Sequence, residues 1–156
     1  MHPCRSFLLM ILAASVLMFC LMYLNTYQLS HVWFSQTRMF MTFIMAGSMA
    51  LVMLSFMRGM YKDKRANMAI VVGSIALIGL GLGLVRSQTT VGEVAWMKAM
   101  IPHHSIAILT SERANISDPR VRKLAHGIIE AQRREISEME FLIKDIKHSP
   151  AQAARQ

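Results

Sequence analysis

The sequence predicts an all-α protein in which three transmembrane helices precede an extracytoplasmic helical hairpin. Three observations carry that expectation. Three apolar runs contain no charge, the loop between two of them is crowded with cations, and two later segments repeat their apolar residues at helical spacing between clear start and stop signals. The composition agrees: of 156 residues, 54% are hydrophobic and only 17% charged. A mean hydropathy of +0.37 is too high for a soluble domain of this size. The formal charge of +8 does not point to nucleic acid. Four of the cations (Arg58, Lys62, Lys64, Arg65) share one short loop, which is a topology signal, and no nucleic-acid motif is present.

Residues 7–24, 39–57 and 68–85 form runs of 18 or 19 residues, about enough to cross a ~30 Å hydrocarbon core at ~1.5 Å per residue. The first run is expected to stay uncleaved, because Ala13-Ala14-Ser15 falls inside it and no small-x-small site follows Leu24. Residues 58–67 carry four cations and one acid, whereas residues 25–38 carry a single cation. The positive-inside tendency then puts the amino terminus in the cytoplasm and residues 86–156 outside; the expected location is a bacterial inner membrane with this domain in the periplasm. Tyr23, Tyr27, Trp33 and Phe34 surround the outer loop as an interfacial aromatic belt would. Cys4 and Cys20 precede and occupy the first run, so no disulfide framework is expected. Met41, Met45, Met49, Met53 and Met57 recur every four residues in the second run, and Gly79-x-x-x-Gly83 in the third suggests a small-residue helix contact.

After a polar joint at residues 86–89, Thr90 and Glu93 have the spacing of a capping box for a helix over residues 91–113, which Pro102 should interrupt. Residues 115–117 read as a turn, and Asp118-Pro119 opens a second helix reaching about residue 147. The expected division is a membrane region (1–87), a hairpin domain (88–148) and a disordered tail (149–156).

At ~100° per residue the first helix gathers Glu93, Met97, Met100, His104, Ala107 and Ile108 in one arc, with His103 at its margin beside Trp96. The second helix has an apolar stripe of Val121, Leu124, Ala125, Ile128, Ile136, Leu142, Ile143 and Ile146. Gln132, Glu135 and Met139 break it at the centre. An amide and a carboxylate on a buried stripe are costly unless satisfied, and both can face the Met/His arc of an antiparallel partner. Thioether and imidazole suit a soft or borderline metal, copper(I) above all. The candidate metal ligands are Met97, Met100, His103, His104, Gln132, Glu135, Met139 and Glu93. Five of them have a plainer reading: Glu93 as the capping box, Met97 and Met139 as core, the tandem histidines as an exposed polar pair. His104 with Met100, at i,i+4, is the better single-site pair, and His31 in the outer loop is a further candidate recruiter of metal.

Met100-Ile101-Pro102-His103-His104, followed by Asp118-Pro119-x-Val121-Arg122-x-Leu124-Ala125, Ile128-Ile129-x-Ala131-Gln132, Glu135-Ile136 and Met139, resembles the domain-of-unknown-function 305 family over roughly residues 92–146. The resemblance implies a ferritin-like helical fold and, from some members, extracytoplasmic copper binding and metal tolerance. Glu93 stands where that family usually has aspartate, Trp96 where it has a smaller aromatic, and Ser105 where a glutamine commonly follows the histidines. A single hairpin is half of a four-helix bundle, so two copies are expected to pair. The expected function is a membrane-anchored copper(I) buffer or relay. The alternatives are a metal-free assembly module and a copper-conducting oligomer, the latter because the second-run methionines beside a glycine-packed helix are similar to the arrangement in eukaryotic copper uptake channels. An enzyme is not expected: the chain has no Glu-x-x-His pair, HExxH, nucleophile elbow or phosphate loop.

Overall fold

The computed structural model describes residues 3–57 and 59–148, with side chains from residue 5 onward. The predicted tail and Arg58 lie outside the described residues. Five helices, α1 (Pro3–Leu21), α2 (Gln36–Phe56), α3 (Lys64–Ser87), α4 (Glu93–Arg113) and α5 (Pro119–His148), are joined by loops and one 3-10 turn at Leu29–His31. No strand occurs among the described residues. The chain divides into two compact units. One comprises Met1–Met22 and Thr37–Thr90, the other Tyr23–Gln36 and Val91–Gln156.

In the first unit, α2 and α3 are long and apolar enough to cross a membrane, with 21 and 24 residues at mean hydropathies of 2.0 and 2.5. The first expected span is not among them: its described apolar stretch is Arg5–Leu21, and α1 begins and ends earlier than residues 7–24. The early end has a local cause. α1 stops at Leu21, and the Arg38 guanidinium donates to the Met22 carbonyl at 2.6 Å, satisfying an acceptor at the helix end. Beyond it the chain passes into the other unit, so Leu24 never joins the helix. Phe7 is fully buried edge-on against Tyr61, with ring centroids 5.4 Å apart, in a cluster with Ala50 and Leu54. Asp63, the one acid of the cationic loop, caps α3 by accepting from the Arg65 and Ala66 amides.

The glycines that let α2 and α3 approach are not the expected pair. A Cβ on Gly47 would stand 2.8 Å from the Ser74 carbonyl oxygen, and one on Gly81 2.9 Å from that of Phe40, whereas Gly79 and Gly83 face open space. The face of α3 turned to α2 carries Ser74, Ile78 and Gly81, spaced i, i+4, i+7, and this leaves Gly79 and Gly83 off it. Helical hydroxyls are satisfied locally: Ser15, Thr42 and Ser48 donate to carbonyls four residues back.

In the second unit α4 and α5 form an antiparallel hairpin around Met97, Ile101 and Ile108 from one helix and Ile136, Met139 and Ile143 from the other. The Thr90 capping box does not form. Gly92, extended at φ −76° and ψ 171°, occupies the N-cap with no side-chain bond, and Glu93 becomes the first helical residue. Nor does Pro102 break α4, which runs continuously from Glu93 to Arg113 with the proline ring fully buried. Asp118 caps α5 as expected, its Oδ1 accepting from the Arg120 amide at 2.8 Å. The seam α5 buries is Ala125, Ile136, Met139 and Ile143, one side of the predicted stripe with Met139 added, while Val121, Leu124, Ile128 and Leu142 of that stripe are exposed.

A third layer completes this unit. Residues Tyr23–Gln36 form a strap that lies on the hairpin, with Tyr27 and Trp33 packed against its core. Both aromatics are partly buried against this core. Ser105 Oγ, completely buried, accepts from the Tyr27 amide at 2.7 Å and lies 3.0 Å from His31 Nδ1. Lys98 and Arg133 sit over the Trp33 and Tyr27 rings, each 5.9 Å from the centroid, and Arg133 also donates to Glu112 across the hairpin.

Candidate metal site on the hairpin

The seam between α4 and α5 brings His104 and Glu135 together, with Nδ1 3.1 Å from Oε2. The separation fits an ion pair, yet Nδ1 is fully buried and makes no hydrogen bond, because the approach is off the line that a ring N–H requires. Glu135 is therefore the ring's charged neighbour, in a contact that is not a well-aligned hydrogen bond. The His104 side chain is 13% exposed and that of Glu135 51%, so the carboxylate lies at the rim and not on the buried stripe where the sequence put it. Burial pushes the His104 imidazole below its ordinary value near 6.5. The Glu135 charge opposes that shift and His103 adds slightly to it. A depressed value keeps the ring neutral at neutral pH, the form in which it donates a lone pair.

The other candidates separate into two groups. Met97 and Met139 are core residues, 4% and 6% exposed within the apolar cluster. Met100 is partly buried against that cluster, beside His104 on the helix. His103 is exposed, its ring centroid 6.2 Å from that of His104. Gln132 is half-buried one turn before Glu135. Glu93 is exposed in the first turn of α4, where its charge suits the helix N-terminus. Among the described residues, no three His, Cys, Asp or Glu side chains gather as a ready-made metal cluster.

His31 is not displayed for recruitment: it is buried and turned onto Ser105. Sequence reasoning missed the Ser105–His31–Tyr27 junction, although a signal was there. Met97, Ile101, Ser105 and Ile108 step along one face of α4, and a hydroxyl in an apolar row requires a partner.

The α4–α5 hairpin is the part of the chain that a family model matches. Residues 84–156, which take in the whole hairpin, match the family described as Domain of unknown function (DUF305). An uncharacterised protein of Acanthamoeba polyphaga mimivirus is 29% identical over 110 residues, covering 69% of this chain and 70% of that protein. That stretch is longer than the 84–156 match, so the likeness extends into the apolar part of the chain. No solved structure matches.

Proposed function

We propose that the protein is a membrane-anchored metal-binding protein, not an enzyme, that holds copper(I) on its hairpin as a buffer or relay in metal tolerance. The anchor in this reading is α1, α2 and α3 together, with α1 reaching across a bilayer despite its shorter apolar stretch. The cationic loop 58–67 stays in the cytoplasm of a bacterial cell, and the ferritin-like hairpin lies beyond the inner membrane. The observation that carries the reading is the buried, unbonded His104 Nδ1 beside the Glu135 carboxylate. A fully buried ring nitrogen that has a carboxylate neighbour but no well-aligned hydrogen bond is poorly satisfied, and a metal ion is one partner that would improve on it.

The donor set fits. His104 would hold the ion with Met100 and His103 as a Met/His set, and Glu135 would support it from the rim. Met97 and Met139 wall the seam on its apolar side, and Gln132 stands ready to orient the carboxylate. Copper(I) favours such sulfur and imidazole donors, and the apolar wall protects it from water.

The test is a copper(I) competition titration on the full chain in detergent, comparing wild type with His104→Ala and with the His103→Ala/His104→Ala pair. The expected result is a loss of high-affinity copper from His104→Ala and its abolition in the double variant. Unchanged stoichiometry in the double variant would overturn the assignment and favour a metal-free assembly module.

A further inference from the structure

α5 has more apolar surface than α4 covers. Beside its buried seam, on the flank away from the strap, runs a second row: Arg120, Leu124, Ile128, Glu135, Leu142 and Asp145, in steps that are whole helical turns or pairs of turns. Leu124, Leu142 and Ile128 are 63%, 38% and 36% exposed. The strap engages the opposite flank, around Arg133, Ser137 and Glu140. A helix with two adjacent apolar rows is built for two neighbours, and here only one is present.

The order of charges along the row identifies the occupant. It opens with Arg120, whose side chain stays 90% exposed although it pairs with Asp118, and Lys123 lies close by. It closes with Glu138 and Asp145, both exposed. Reversed and laid on itself, the row sets Arg120 against Asp145 and Leu124 against Leu142. Both pairings centre on residues 132–133, so one register pairs Arg120 with Asp145 and the two leucines together, with Glu138 falling opposite Ile128. A parallel arrangement would place arginine on arginine and aspartate on aspartate. Complementarity of a surface to its own reverse is what a two-fold axis demands.

We infer that α5 packs antiparallel against α5 of a second copy through this row, with the axis beside Gln132 and Arg133. The consequence for metal rests on the copper reading above. Glu135 lies within one turn of that axis, so the His104–Glu135 pair of each copy would stand next to that of the other. Two pairs would bring four His and Glu side chains together, where no three His, Cys, Asp or Glu gather in one copy among its described residues.

Crosslinking of the full chain tests the pairing, in a background where Cys4→Ser and Cys20→Ser remove the native thiols. Leu124→Cys combined with Leu142→Cys should give a covalent dimer with a short bis-maleimide in detergent and in membranes. Either cysteine alone should give only monomer, because equivalent positions in the two copies would be about 25 Å apart at ~1.5 Å per residue. Positions 124 and 142 within one helix are equally distant, so the product has to be intermolecular. Both leucines are exposed, which spares the fold. Monomer from the double variant, or dimer from a single one, overturns the inference. Copper measured on the same preparations separates the two ideas: copper bound without the crosslink removes only the pairing, and the crosslink without copper removes only the metal site.

Discussion

At the scale of single residues, His104 couples the seam to pH. Its folded value lies below the ordinary one near 6.5 because burial disfavours the imidazolium. The unfolded chain therefore takes up the proton first as pH falls. The stability that depends on a neutral His104 is complete above about pH 6.5 and is lost as acidification passes that value toward the lower folded one. Thermal melts of the metal-free full chain between pH 7.5 and 5 should show a decline that His104→Gln, which cannot titrate, makes shallower. Equal slopes in the two proteins would show that the ring's environment is not the one described. The pairing of His104 with Glu135 was legible in the sequence, because two faces read separately each placed a polar group at mid-height. The role of Ser105 was not, because its partners Tyr27 and His31 lie in a loop more than seventy residues earlier, and no local pattern reports so distant a contact.

At the scale of elements, α2 and α3 touch through backbone. Gly47→Ala or Gly81→Ala would drive a methyl to within 2.8–2.9 Å of a helical carbonyl oxygen, which has no rotamer by which to retreat. Overpacking of this kind costs about 1–3 kcal/mol. Unfolding of the detergent-solubilised protein should register that loss for each, while Gly79→Ala and Gly83→Ala leave stability within experimental error. The opposite pattern would restore the contact that the Gly-x-x-x-Gly spacing suggested. The two long apolar helices were legible in the sequence because an uninterrupted apolar run needs no tertiary information. It could not say which glycine faces which helix, since that depends on how each helix is rotated about its axis. The same limit explains α5: a stripe broad enough for two neighbours does not reveal which half the nearer helix takes.

At the scale of the whole molecule, the division into units does not follow the division of the sequence. Residues between the first two helices belong with the hairpin near the carboxyl end, so the chain passes between its units three times. Two antiparallel helices are marginal by themselves, and the strap adds the packing of Tyr27 and Trp33, worth roughly 1.5–3 kcal/mol for a large side chain fully buried and less here, where both are only partly so. The Ser105 junction adds to it. Removing that hydroxyl would leave the Tyr27 amide without its partner, at about 1–3 kcal/mol. Residues 91–156 expressed alone should therefore be helical by far-UV circular dichroism but melt over a broad range, without cooperative loss of tertiary signal. Residues 23–36 joined to 91–156 by a flexible linker should recover a single sharp transition, and Ser105→Ala in the joined form should lower its midpoint. A sharp transition from 91–156 alone would mean that the hairpin needs no strap. The outer loop would then be a passenger on the domain and not its third layer.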